Sequence, residues 1–234
     1  MKTNRISQLI LCLFLITLSC KKRSIDQISN TKNYVFDFHQ EKNISDEVSN
    51  YFGKQEFQLE NYMTSISREQ YISDSIAVKN EYSSKENKID KNNILEVNYG
   101  KVRFVNNHNA NSDVFSKYYY SGFSNYLNSH IIQISLYEND IYMLLKNDKY
   151  DYQFLQNEPI ISLNKNFLLT YKNNENLNST LSIYNIHDKN LIFNKTIWSE
   201  QNLIENAFWN PKNSITIKLR SLNNNIITYY ILKY

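Results

Sequence analysis

Ile141-Tyr-Met-Leu-Leu-Lys-Asn-Asp-Lys-Tyr-Asp-Tyr-Gln-Phe-Leu155 is an apolar run, a polar turn and a second apolar run. Forty positions later the same pattern returns as Leu181-Ser-Ile-Tyr-Asn-Ile-His-Asp-Lys-Asn-Leu-Ile-Phe-Asn-Lys195. Each copy reads as strand, Asn/His-Asp-Lys turn, strand. A second pair of related stretches, Ser162-Leu-Asn-Lys-Asn-Phe-Leu-Leu-Thr-Tyr171 and Trp209-Asn-Pro-Lys-Asn-Ser-Ile-Thr-Ile-Lys218, stands 47 positions apart. Recurrence at a fixed spacing marks a repeated supersecondary unit, and 40 to 47 residues suits one four-stranded sheet.

Short apolar strands fill the chain around these copies. Ile94–Asn98 and Lys101–Val105 flank Tyr99-Gly100 as a β-hairpin. Strands are expected at 117–123, 130–137, 141–146, 150–155, 159–163, 167–171, 180–186, 191–198, 204–209, 215–219 and 226–232. Composition agrees: the chain carries 19 Tyr and 12 Phe but only 3 Gly and 2 Pro. Aromatic and β-branched residues favour strands, and asparagine tolerates the left-handed geometry that glycine usually supplies in turns.

Before residue 94 the pattern is mixed. Tyr34-Val-Phe-Asp-Phe38 alternates like a strand, and Ser45-Asp-Glu opens a helical pattern carried by Val48, Tyr51 and Phe52. A second helix is expected from about Ser67 to Tyr82, with Ile72 and Ile76 on one face. Residues 83–93 are polar apart from Ile89 and read as a linker.

At the start of the chain, Lys2 and Arg5 precede an apolar run from Leu9 to Ile16, followed by Thr-Leu-Ser-Cys20-Lys-Lys-Arg23. The run is far shorter than the roughly 20 apolar residues that span a bilayer, and it suits a signal peptide. Leu18-Ser19-Cys20 resembles the lipobox of bacterial, Bacteroidetes-like lipoproteins, with Thr17 where that pattern has a larger apolar residue. The resemblance implies cleavage before Cys20 and acylation of Cys20, the lipid attachment residue, and hence a membrane anchor and a place in the cell envelope. The basic residues after Cys20 differ from the acidic ones that direct some such lipoproteins to the outer face, which points to a periplasm-facing protein.

The implied organisation is a lipoprotein signal peptide over 1–19, a flexible tether over 20–33, a mixed, partly helical segment and linker over 34–93, and an antiparallel β domain over 94–234. Losing Lys2 and Arg5 from the 26 basic residues leaves 24 against 23 acidic ones. Such an even balance lacks the basic excess of a phosphate-tracking surface, so no nucleic-acid partner is expected. Cys12 falls inside the signal segment, which leaves no disulfide or catalytic thiol downstream of Cys20.

Pro159-Ile-Ile-Ser-Leu-Asn-Lys-Asn-Phe resembles the Ser-Pro-Asp-Gly-Lys turn of WD40-like and related bacterial propeller repeats, and Phe208-Trp-Asn-Pro-Lys-Asn-Ser restores the proline as Pro211. The likeness covers about residues 130–234 and implies architecture without activity. Residues 94–234 provide about three such units, whereas closed propellers have about four to eight blades. The fold expected is mainly β, a propeller-like or sandwich-like antiparallel domain with a small helical N-terminal element. An open stack of this kind leaves sheet edges that the N-terminal segment must cover.

Residues capable of chemistry are scattered. The four histidines, 39, 108, 130 and 187, stand far apart; His187 reads as a surface turn residue. His39 lies beside Asp37 and Glu41, a combination able to serve hydrolysis or metal binding if a third ligand joined it. Nucleophile elbow and phosphate-loop patterns are absent, and the carboxylate pairs Glu138/Asp140 and Asp148/Asp151 fall in expected turns. No metal and no cofactor is called for. The cluster Tyr118-Tyr-Tyr120-x-x-Phe123-x-x-Tyr126 offers Tyr118 and Tyr120 as a possible interface for a protein or glycan. Asp74-Ser75-Ile76 resembles the O-glycosylation tripeptide of Bacteroidetes envelope proteins. The function expected is that of a lipid-anchored, non-catalytic binding protein of the envelope; the alternatives are an envelope hydrolase using His39 and nearby carboxylates, or an immunity or inhibitor lipoprotein.

Overall fold

The structure is a computed structural model, and it describes residues 34–36, 56–76, 94–97, 102–108, 115–137, 140–148, 150–173 and 179–232. Two units divide the chain, Met1–Tyr34 and Val35–Tyr234, and the second holds the fold. It is mainly β: four sheets and one short helix, with no closed barrel among the described residues.

The first sheet has the order β1-β5-β4, from β1 (Tyr34–Phe36), β4 (Ile94–Val97) and β5 (Val102–Val105). The last two form the expected hairpin, with Val97 opposite Val102. From Ser116 the chain lays down three antiparallel meanders. The second sheet runs β6 (Ser116–Ser124), β7 (Ser129–Leu136), β8 (Asp140–Lys146), β9 (Tyr152–Leu155). The third runs β10 (Ile160–Ile161), β11 (Phe167–Asn173), β12 (Ser179–His187), β13 (Asn190–Ser199), and the fourth β14 (Asn202–Trp209), β15 (Ile215–Ser221), β16 (Ile227–Leu232). The sequence repeat is therefore one sheet: β8–β9 and β12–β13 are third and fourth strands, while β10–β11 and β14–β15 are first and second strands.

Geometry moves the second repeat by one residue. Lys165 N donates to Ser162 O and Asn213 N to Asn210 O, both at 2.9 Å, and Lys165 and Asn213 are the residues with positive φ, 62° and 57°. Ser162 thus corresponds to Asn210, not to Trp209. Backbone handedness, more than side-chain likeness, fixes the alignment of two turns.

Successive sheets stack face to face because their middle strands are apolar on both sides. On β7, Ile132 and Ile134 face the first sheet among Phe36, Leu95 and Phe104, while Ile131 faces the third sheet with Leu144, Leu168 and Tyr184. The third and fourth sheets enclose Leu169, Leu181, Ile183 and Ile197 against Ile204, Trp209, Ile217 and Leu232. A strand buried on both faces loses the strict polar alternation of a half-exposed one, which is why Ile141-Tyr-Met-Leu-Leu145 on β8 reads as continuous apolar sequence.

The N-terminal segment covers sheet edges. β2 (Glu56–Gln58) adds to β13 in parallel, and β3 (Met63–Ser65) adds antiparallel to β16. Between them a 3-10 helix over Leu59–Tyr62 drops Leu59, 1 % exposed, into the core between the third and fourth sheets. The opposite edges are closed by side chains. Asn106 Oδ1 accepts Tyr118 N on β6 at 2.8 Å, and Trp209 Nε1 donates to Ile160 O on β10 at 2.9 Å. On β14, Asn173 pairs with both backbone groups of Ile204, Oδ1 to N and Nδ2 to O, each at 3.0 Å. Each cap satisfies a strand edge that would otherwise offer its hydrogen bonds to another chain.

Helix α1 (Arg68–Ile76) lies on the outer face of the fourth sheet. Ser67 Oγ accepts Gln70 N at 3.2 Å and caps the helix start. Tyr71 seats its ring 5.4 Å from Phe208 and 4.7 Å from Tyr229, and its hydroxyl accepts from Asn206 Nδ2 at 3.0 Å. Asp74 is buried and accepts from Thr216 Oγ1 at 3.2 Å and Gln70 Nε2 at 2.7 Å. The helix thus docks by Tyr71 and Asp74, and Ile72 and Ile76 point outward, 46 % and 77 % exposed. The other helix expected near Ser45 and the linker 83–93 lie outside the described residues.

Candidate functional site

The hairpin turns at one end of the stack touch one another. Asn147 N donates to Asn128 O at 3.0 Å, which joins the β6–β7 and β8–β9 turns. The Lys146 ammonium donates to Leu127 O at 3.2 Å and also to Lys189 O, which joins that end of the second sheet to the β12–β13 turn of the third. Lys165 Nζ lies 5.5 Å from the Tyr126 ring, a cation–π contact across the same two sheets. Asn164 N donates to Asn213 Oδ1 at 3.0 Å, linking the third sheet to the fourth.

These turns are built without glycine. Asn128, Lys165, Asp188, Lys189 and Asn213 all have positive φ, between 49° and 63°. Asp188 and Lys189 are consecutive and His187 pairs with Asn190, so the β12–β13 loop is a two-residue turn of the type whose twist matches a hairpin. Left-handed geometry is costly for a lysine, and it is held here by the strands on either side.

Between the second and third sheets at this end is a half-open cleft of about 250 Å³, walled by Leu144, Lys146, Asp151, Gln153, Lys189 and Leu191. That volume is below the roughly 300–1,000 Å³ of small-molecule pockets, so the cleft is suited to a protruding group of a larger partner. Charge here is mixed, with Lys165, Lys189 and Lys212 set against Asp148, Asp151 and Asp188. The rim can therefore offer both donors and acceptors.

His130 stabilises the base of this end. It is 9 % exposed, with Nδ1 3.0 Å from the Tyr120 hydroxyl and Nε2 3.1 Å from Asn147 Oδ1. An amide oxygen only accepts, so Nε2 carries the proton and Nδ1 accepts from Tyr120. Burial pushes the Tyr120 hydroxyl above its ordinary pKa, which keeps it a donor.

This placement corrects the expectation for Tyr118 and Tyr120 as an interface. Tyr118 is 1 % and Tyr120 9 % exposed, both in the core between the first and second sheets. The side of β6 that a lone sheet would leave open is covered by Phe36 and Phe104, whose rings lie 6.2 and 5.2 Å from Tyr118. His187 is at the surface and meets Asp188 at 3.2 Å, and His108 is exposed. His39, Asp37, Glu41 and Cys20 lie outside the described residues. Asp140 accepts from Gln133 and Ser135 at 2.9 and 2.6 Å. The tripeptide Asp74-Ser75-Ile76 is helical, with Asp74 engaged by Thr216 and Ser75 Oγ donating to Ile72 O at 2.8 Å.

Among the described residues no three His, Cys, Asp or Glu side chains converge as a metal site requires, and no helix is long and apolar enough to cross a membrane. The linked turns were not read as a site in the sequence; the signal was the recurrence of Asn-Asp-Lys and Asn-Lys-Asn in the repeats, which marks turns without showing that they share one end. No family model matches this chain, and no curated protein or solved structure does either.

Proposed function

We propose that this chain is a lipid-anchored protein of the bacterial envelope that holds a protein or glycan partner at the turn-bearing end of its sheet stack. The anchor rests on the lipobox-like Leu18-Ser19-Cys20. Two acyl chains on Cys20 retain a protein at a bilayer far more durably than one. Cys20 and Tyr34 are 14 positions apart, a reach of at most about 50 Å for a fully extended chain.

The observation that carries the binding role is the direct linkage of the turns of three sheets around one polar cleft. Loops held on a rigid β scaffold form a preorganised recognition surface, because little entropy is lost when they meet a partner. The hydroxyls there serve structure: Ser129 Oγ donates to Leu127 O and Ser162 Oγ to Asn164 Oδ1. His187, the exposed imidazole of this end, has Asp188 as its partner.

Two measurements test the two halves. Metabolic labelling with a fatty acid marks the wild-type chain and not Cys20→Ala; label on the variant removes the anchor. Photo-crosslinkers placed at Lys189 and Lys212 in living cells give a discrete adduct, whereas one at Ile226, at the opposite end, does not. Equal adducts from both ends, or none from the turns, remove the recognition surface, and hydrolytic activity abolished by His39→Ala would replace it with an enzyme.

A further inference from the structure

The walls of the cleft at the linked turns come from the strand register. Leu144 on β8 is paired with Gln153 on β9, and Lys146 follows Leu144 by two residues, so all three side chains point from the second sheet toward the third. Leu191 and the β12–β13 turn with Lys189 form the other wall. Lys146 reaches across the gap. Its ammonium donates to Leu127 O on its own side and to Lys189 O on the other, which fixes one positive charge in the wall.

The second cation is unpaired. Lys189 is exposed and among the described residues its ammonium makes no ion pair, while the partly buried Gln153 amide makes no hydrogen bond. Two lysines against one acid, Asp151, give the lining a net positive charge. Between these polar groups the walls are aliphatic, from Leu144 and Leu191. Tyr152 also lines the cleft, but its ring packs on the opposite face of the second sheet, 5.6 Å from Phe36 and 5.3 Å from Phe154. The described lining therefore turns no aromatic face toward a sugar.

We propose that this cleft seats the carboxylate of an acidic side chain carried by a protein partner. The inference rests on the recognition surface proposed above and gives it a chemistry. An ammonium forms charge-assisted hydrogen bonds with a carboxylate, and an amide N–H adds a neutral one. The aliphatic walls match the methylenes of a glutamate. A half-open space of about 250 Å³ admits one such side chain while the rest of the partner lies on the turns.

The test is amide NMR of the isotope-labelled full chain in non-ionic detergent, titrated with Nα-acetyl-glutamate amide. Nα-acetyl-glutamine amide is the uncharged counterpart, and glucuronate supplies a carboxylate on a sugar. The glutamate probe gives saturable shifts at Leu144, Gln153, Lys189 and Asn190; glutamine gives none, and glucuronate binds more weakly. Lys189→Gln weakens glutamate binding by about fivefold or more, whereas Lys189→Arg, which keeps the charge, retains it. Neither variant moves the rest of the spectrum, because Lys189 is exposed and meets Lys146 through its backbone oxygen. Equal shifts from glutamine, stronger binding of glucuronate, or unchanged affinity in Lys189→Gln would each overturn the inference. A discrete adduct from the photo-crosslinker at Lys212 together with no glutamate binding overturns this inference alone, whereas loss of that adduct removes the recognition surface as well.

Discussion

Replacing Asn173 by Leu removes the side chain that closes the free edge of β14 while nearly conserving volume. Three hydrogen bonds go with it: Nδ2 to Ile204 O and Ile204 N to Oδ1, each at 3.0 Å, and Ser179 Oγ to Oδ1 at 2.6 Å. Ile204 N keeps Ser179 Oγ at 3.1 Å, and Ser179 keeps Asn202 O at 2.9 Å, so two of the abandoned groups retain a partner. Ile204 O loses its cap beside a residue 1 % exposed. At about 0.5 kcal/mol for each of the two lost bonds whose abandoned groups keep a partner, and about 1–3 kcal/mol for the stranded carbonyl, the expected cost is about 2–4 kcal/mol. For a unit of this size, about 2–4 °C of Tm follows each kcal/mol, which gives a fall of roughly 5–15 °C. Thermal and urea unfolding measure it, and a cycle with Ser179→Ala should be non-additive, because both side chains hold the Ile204 amide. An uncapped β14 also gives a concentration-dependent dimer in sedimentation, since an open edge recruits another strand. A Tm shift under about 1 °C, or strict additivity with Ser179→Ala, would refute the edge-cap argument.

Other outcomes follow from the same structure. The Glu205 carboxylate meets Lys218 at 2.6 Å and also Arg220, and its pKa is lowered from the usual 4.5, first by the Lys218 hydrogen bond. Its stabilisation is therefore complete above about pH 4.5 and lost as pH falls through the depressed value, so the stability gap between wild type and Glu205→Gln in urea melts should close in acid. A gap independent of pH would dismiss that role. Tyr142 is raised from 10.0 to about 12, chiefly by burial, so its contribution is whole below pH 10 and disappears between about 10 and 12. Tyr142→Phe should flatten alkaline unfolding over that interval, and tyrosinate absorbance should show one late-titrating group fewer. A chain beginning at Ile94 lacks Phe36 and Leu59, each 1 % exposed, along with β2, β3 and α1, and should bind a hydrophobic dye and aggregate. A cooperative, monomeric unfolding transition in that fragment would show that the N-terminal strands are dispensable.

The sequence by itself determined the strands. β6 to β16 fall where apolar, β-branched and aromatic runs alternate with Asn, Asp and Lys turns, because strand periodicity and turn geometry are local properties of a few residues. It also showed the repeat, and it gave the helix start at Ser67, whose hydroxyl caps α1. The tertiary structure decided what each face and edge meets. Alternation says that β6 has two sides but not that Phe36 and Phe104 cover one of them, so the sequence leaves open an interface role for Tyr118 and Tyr120 beside a core one. Strands β2 and β3 have three residues each, too few for any period, and exist because β13 and β16 present edges to them. Ile72 and Ile76 form the apolar side of α1, yet the hydroxyl of Thr216 and the rings of Phe208 and Tyr229 draw Asp74 and Tyr71 inward instead. The asparagines that read as turn residues include Asn106 and Asn173, whose amides act as missing strands. Such a cap joins residues 31 positions apart in the case of Asn173 and Ile204, and neither end carries a local trace of the other. The cleft at the linked turns is likewise a product of which sheets stack together, since its walls come from two different sheets.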